Sequence, residues 1–238
     1  MRVYTIEMLN LSAEYYKNTM KENSYNLKII LLAAGRSERF NGIKLLAKAQ
    51  QDDSATLIQH VLQQISVAMD NLKINKNNLH VATGIYHPKI AKSIGEQFSA
   101  TFCEQAEKGM GHTIAQSVKN VLKSDDNPSH IMITLADQVA LTSADYIHLI
   151  KQSLAAPNKL ICAEVAGELS KKSGKEIMPP AIFSSKYFAD LMVLQGDKGA
   201  KPLLYTNENN LLKVSLPNAA IDIDTLQELI NWHKVLKD

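Results

Sequence analysis

Beyond position 27 the chain alternates short apolar runs with longer stretches whose apolar residues recur every three or four positions. Ile29-Ile30-Leu31-Leu32 is a continuous apolar run, and it predicts a buried strand over 27–34. Leu57, Ile58, Val61, Leu62, Ile65, Met69 and Leu72 fall on one face of a helix, with Ser54 or Thr56 as its cap. A second strand is expected over 79–83, ended by Gly84, then a helix over 88–98 with Pro88 in its first turn. A short strand over 100–103 precedes a helix over 113–122 that carries Ile114, Val118, Val121 and Leu122 on one side. An apolar, β-rich strand over 130–135 runs up to Asp137, and a helix over 143–154 and a strand over 159–165 follow. Residues 167–175, GELSKKSGK, read as a polar linker. After it come the apolar pair Ile182-Phe183, a helix around 187–194, the segment 196–205, a short strand over 212–216 and a terminal helix over 225–236.

Strand and helix repeated in turn imply an α/β fold of three layers, with a doubly wound, mainly parallel sheet. Ligands of such sheets bind beyond the carboxyl ends of the strands. That places residues 33–44 and Asp137 on one rim. The domain plan is a single domain over 27–238 behind an extension over 1–26. In that extension Val3, Ile6, Leu9, Leu11, Tyr15 and Tyr16 could form a short amphipathic helix, or the segment is disordered, or the chain starts at Met20.

Composition narrows the function classes. At 238 residues the chain has room for a substantial core. A net charge of +2 gives no support for general nucleic-acid or membrane-surface binding. No apolar run approaches the roughly 20 residues that span a bilayer. The N-terminus has no continuous apolar stretch and carries Glu7 and Glu14, unlike a signal peptide. Cys103 and Cys162 sit in apolar surroundings and read as buried thiols of a cytoplasmic protein, with no metal spacing and no assigned role.

The candidate chemistry starts at the end of the first strand. Ala33-Ala34-Gly35 puts three small residues there, which lets a ligand approach the backbone closely. Arg36, Arg39 and Lys44 follow in a polar loop with Ser37, Glu38, Asn41 and Gly42, and such cations suit a phosphate-bearing ligand. Neither GxGxxG nor GxxxxGK[ST] is present, which argues against a dinucleotide fold and a P-loop.

Leu32-Ala33-Ala34-Gly35-x-Ser37-x-Arg39-x-x-Gly42-x-Lys44 resembles the signature loop of the MobA/MocA-like nucleotidyltransferases. It is most similar to the molybdenum cofactor cytidylyltransferase branch. The resemblance implies a nucleotide-diphospho-sugar transferase-like, Rossmann-type fold. It also implies that Leu32, Ala33, Ala34, Gly35 and Arg36 hold a nucleoside triphosphate whose phosphates Arg39 and Lys44 neutralise. One departure is Asn41, where the family usually has glycine; glycine follows as Gly42. Gly109-Met110-Gly111 is similar to a family turn that borders base and ribose, and a helix starting there would offer free N–H groups. His112 stands where serine is common and reads as a substrate contact or a surface histidine. In Leu135-Ala136-Asp137-Gln138 the aspartate matches the family's Mg²⁺ ligand. Asp222-Ile223-Asp224-Thr225 resembles the family's DIDT, with Asp222 as second metal carboxylate and Asp224 as its competitor or as a helix cap. In Gly196-Asp197-Lys198-Gly199-Ala200-Lys201, which resembles GDxGAR, Lys198 and Lys201 could receive the acceptor's phosphate. Pro180-Ala181-Ile182-Phe183 resembles the stretch that borders the acceptor pocket, with Pro180 in the acceptor set and Met178-Pro179 replacing a glycine-histidine pair.

The activity so implied is Mg²⁺-dependent transfer of NMP from an NTP to molybdopterin, with release of pyrophosphate. Ala33-Ala34 resembles the CTP-using branch, whereas the GTP-using branch tends to alanine-glycine-glycine. Asp137, Arg39 and Lys44 would carry the chemistry, and a molybdoenzyme would be the natural partner. A cytidylyltransferase for a sugar or polyol phosphate, or a non-catalytic cofactor chaperone of the same fold, are the alternatives.

Overall fold

A computed structural model describes residues 25–50, 55–123, 127–166 and 174–235. The described sheet begins with β1 (Leu27–Ala33), an inner strand buried at every position, as an unbroken apolar run requires of a strand covered on both faces. From there the chain runs through α1 (Leu57–Leu72), β2 (Leu79–Thr83), α2 (His87–Ile94), β3 (Ser99–Phe102), α3 (Met110–Val121) and β4 (His130–Leu135). It continues through α4 (Ser143–Ala155), β5 (Leu160–Val165), β6 (Glu176–Ser184), α5 (Phe188–Leu191), α6 (Lys201–Thr206), β7 (Leu211–Ser215) and α7 (Leu226–Val235). The strands make one seven-stranded sheet in the order β3-β2-β1-β4-β6-β5-β7. β1 pairs in parallel with β2 and β4, setting Ile29 beside Leu79 and Ile30 beside Ile133.

Alternate residues of β1 feed opposite faces, as the period of a strand dictates. Ile29, Leu31 and Ala33 join a core with α1, α2, α4 and α7, through Leu62, Ile90, Leu149 and Leu229. Ile30 and Leu32 join a second core with α3, α5 and α6, through Ile114, Val118, Leu191 and Leu204. The result is the three-layer α/β architecture. Thr56 caps α1 in a reciprocal box with Gln59, and Thr142 does the same for α4 with Asp145. Position 54, most of the linker and the extension before Tyr25 lie outside the described residues.

The largest departure from the sequence pattern is β6. The apolar pair Ile182-Phe183 belongs to a nine-residue strand that runs antiparallel to both β4 and β5. Pro179 and Pro180, joined by a cis peptide bond, obscure it, because proline donates no N–H to a ladder. The pairing with β5 shifts register between Cys162 and Ala163, from Ala181 to Met178, so the prolines fall in the irregularity. α2 is shorter than the pattern suggested, because Gly95 at φ +69 closes it after Ile94. Residues 196–205 hold α6 in their second half. Among the described residues no helix is long and apolar enough to cross a membrane.

His130 opens β4 in a buried position. Its Nε2–H donates to the Pro157 carbonyl at 2.8 Å, and its Nδ1 accepts from the Ser129 hydroxyl at 2.9 Å. Burial pushes its pKa below the usual 6.5, against the pull of the Pro157 carbonyl. Neutral His130 is therefore favoured in the fold, and its contribution is complete above about pH 6.5. As pH falls through the lowered folded value, the unfolded chain binds the proton first and stability is lost. Denaturant midpoints should therefore be flat above about pH 7 and fall below 6.5. A His130→Asn variant should be less stable at pH 7.5 yet show a shallower acid limb; an unchanged acid limb would contradict the assignment.

Candidate active site at the carboxyl rim

β1 and β4 end side by side, Leu32 beside Leu135, so both following segments leave from the same rim. The β1 loop turns at Ser37, with φ +56, and at Gly42, with φ +137. Asn41 does not adopt the left-handed region, so the missing family glycine costs the loop nothing there. Phe40 anchors the loop in the core, and Ser37 Oγ accepts the Lys44 N–H at 3.2 Å. Gly84, at the end of β2, leaves room for Ala34, whose carbonyl oxygen would lie 2.7 Å from a β-carbon at position 84.

Lys44 thus points back over the sheet. Only 8% exposed, its ammonium donates to Asp137 Oδ2 at 2.8 Å and to Asp224 Oδ1 at 2.9 Å. The exposed guanidinium of Arg39 pairs with the second oxygen of Asp224. A backbone hydrogen bond from Ile223 N–H to the Asp137 carbonyl, at 3.2 Å, fixes the 221–224 segment against β4. The helix cap expected of Asp224 falls instead to Thr225, in a reciprocal box with Glu228. Asp224 is free to face the cleft.

The charges set one another. Burial would lower the Lys44 pKa, but Asp137 and then Asp224 outweigh it and raise it. Burial would raise that of Asp224, but Lys44 and Arg39 hold it below the usual carboxylate range. Asp222 is raised, first by burial and then by the charges of Asp224 and Asp137. Asp137 Oδ1 is buried and has no hydrogen-bond partner. An unsatisfied buried oxygen and a carboxyl disfavoured by its neighbours suit a hard, oxygen-seeking dication. Among the described residues no three His, Cys, Asp or Glu side chains form a complete metal cage. This donor set therefore fits a cation that takes its remaining oxygens from phosphate and water.

Three cavities meet here. A cleft of about 560 Å³ is lined by Leu32, Ala34, Gly35, Arg36, Arg39, Lys44, Gly109, Met110, Asp137 and Asp224, among others. Ala33 is buried beneath it in the core. An apolar cavity of about 310 Å³ lies alongside, lined by Ile114, Ile133, Ile177, Met178, Phe183 and Leu204, with Lys198 and Lys201. Leu32, Met110, Leu135 and Asp197 line both. Pro179 lines the apolar cavity, whereas Pro180 is buried and absent from the lining. Lys201 is paired with Glu176. Asp222 lines a third space of about 310 Å³, with Asp224, Gln138 and Pro179.

The Gly109-Met110-Gly111 turn departs at one position from the expectation of free N–H groups. The Gly111 N–H is taken by the Gly196 carbonyl at 2.7 Å. A β-carbon at Gly111 would lie 2.6 Å from the Gln195 carbonyl oxygen, so the glycine makes room for a second chain segment. The sequence pattern places Met110 at the nucleotide but does not show that Met110 and Asp197, 87 positions apart, line both cavities; only the fold brings them together.

Residues 29–211 match the family described as MobA-like NTP transferase domain. The purine catabolism protein PucB of Bacillus subtilis (strain 168) is 27% identical over 203 residues, covering 84% of this chain and 92% of that protein. The manganese complex of Rv0371c from Mycobacterium tuberculosis H37Rv superposes with TM-score 0.63 at 17% identity, covering 88% of this chain and 98% of that one. The 4-diphosphocytidyl-2C-methyl-D-erythritol synthase of Anaerococcus prevotii DSM 20548 superposes with TM-score 0.67 at 12% identity, covering 91% of this chain and 100% of that one. Those two structures share the nucleotide-diphospho-sugar transferase-like fold. With the family match spanning most of the described sheet, the chain belongs to the MobA-like NTP transferase family and is a nucleotidyltransferase.

Proposed function

We propose that this enzyme transfers CMP from CTP to the phosphate of molybdopterin, releasing pyrophosphate, with Mg²⁺ held at Asp137. The observation that carries the reading is Lys44 between Asp137 and Asp224, at a cleft that adjoins an apolar cavity. In the transfer, an acceptor phosphate oxygen forms a bond to the α-phosphorus of CTP. The bond from that phosphorus to the bridging oxygen breaks, and pyrophosphate leaves with the electron pair. Ala34 and Gly35 let the triphosphate approach the backbone, while Arg39 and Lys44 neutralise its charge. Asp137, with Asp222 or Asp224 beside it, holds the metal. When bound, Mg²⁺ neutralises the phosphates and the developing charge on the leaving group.

Support for cytidine comes from Ala33-Ala34 and from the diphosphocytidyl product in the name of the Anaerococcus prevotii neighbour. Manganese in the Rv0371c structure supports a divalent ion. The apolar lining by Ile114, Ile133, Ile177 and Phe183 suits a fused heterocycle better than a polyol, which favours molybdopterin over a sugar phosphate. Lys198 stands at that cavity as the partner of the acceptor's phosphate; Lys201, held by Glu176, supports the wall. Residues 27–238 act as one cytoplasmic transferase domain that hands its product to a molybdoenzyme.

Pyrophosphate release should require CTP, molybdopterin and Mg²⁺ together, and a chelator should abolish it. Release with GTP instead would move the base assignment; no release and no nucleotide binding would leave only a cofactor-binding role. Asp137→Asn should lower turnover at least about a hundredfold while the folded protein persists. Near-normal turnover would remove Asp137 from the metal site. Lys44→Ala should weaken Mg·CTP binding about ten- to hundredfold, as one charge-assisted contact is lost. Titration calorimetry showing unchanged affinity would contradict the phosphate role.

A further inference from the structure

Gly196 is held on both its N–H and its carbonyl side by the first turn of α3. Its carbonyl accepts from the Gly111 N–H at 2.7 Å, and its N–H donates to His112 Nδ1 at 3.2 Å. Nδ1 accepts there through its ring lone pair. The two backbones interlock around absent side chains. A β-carbon at Gly109 would run into Asp197, and one at Gly199 would lie 2.7 Å from Met110 Sδ. Gly196 itself, at φ +69, takes a conformation that other residues rarely adopt.

What this turn carries is exposed and otherwise loose. Asp197 lines both cavities and Lys198 lines the apolar one. Among the described residues neither side chain has a hydrogen bond or ion pair, so both depend on the backbone at Gly196 for their place. The Gly111 bond holds Gly196 on its carbonyl side, and the His112 bond holds it on its N–H side.

We propose that His112 is a positioning residue for the transfer reaction: through Gly196 it sets where Lys198 stands at the apolar cavity, next to Asp197, which lines that cavity and the nucleotide cleft. The kinetic part rests on the reading of that cavity as the acceptor's. Two variants test it. His112→Leu keeps the bulk and removes the acceptor atom. His112→Asn restores it, because asparagine Oδ1 hangs from Cγ as histidine Nδ1 does.

In the full-length protein, amide exchange of residues 195–199 should speed up about tenfold or more in the Leu variant and return toward wild type in the Asn variant. The KM for molybdopterin should rise about three- to tenfold in the Leu variant and recover in the Asn variant, with CTP affinity unchanged in both. Unchanged exchange in the Leu variant, or failure of Asn to restore it, overturns the proposal. So does a loss of CTP affinity with KM for molybdopterin unmoved. If the wild-type protein turns over no molybdopterin, the functional reading falls, and the exchange comparison decides alone whether His112 holds the turn.

Discussion

One ammonium group draws three distant stretches of chain together. Lys44 reaches Asp137, 93 positions away, and Asp224, 180 positions away. A lysine this deeply covered is costly to bury without opposite charge, and three neighbouring carboxylates are costly to assemble without a cation. Each side therefore stabilises the other. The loop after β1, the end of β4 and the approach to α7 are all fitted to this contact. In the proposed reaction a triphosphate and a dication enter together, one suited to the lysine and arginine, the other to the aspartates. The free protein thus holds its binding groups against one another in much the order in which substrate would separate them.

The sheet makes that meeting possible. β1, β2 and β4 run parallel, so their carboxyl ends share one rim. β6 runs the other way, so its opening residues, Glu176 to Pro179, reach the rim from the opposite direction. Asp137 lies between these two sources of backbone. Gln138, next to it, donates to the carbonyls of Pro179 and Ala219 and so ties β4, β6 and the segment before α7 at a single side chain.

Much of this was legible in the amino-acid order, and the rest was not for identifiable reasons. β1 and β4 are read correctly because burial on both faces demands an unbroken apolar run. α1, with its one-sided spacing, and α4 are likewise where the pattern puts them, whereas α3, also one-sided, begins at Met110, three residues before the expected 113. β6 is hidden because two prolines sit where a ladder would need donors, and only the register shift against β5 explains their tolerance. The loop cations were legible from their clustering. That Asp224 turns toward Lys44 while Thr225 caps the helix was not, since either residue type can cap. Gly109 and Gly111 stand out as a motif, but their reason lies in a backbone nearly 90 positions away.

That packing limits what either turn can tolerate. The turn at 109–112 and the turn at 195–199 share one interface built from missing β-carbons, so a change in either is tolerated only with an answering change in the other. The two motifs form one packing unit. Room to reshape the neighbouring cavity therefore lies outside the interlock, at a partly exposed lining residue such as Met178.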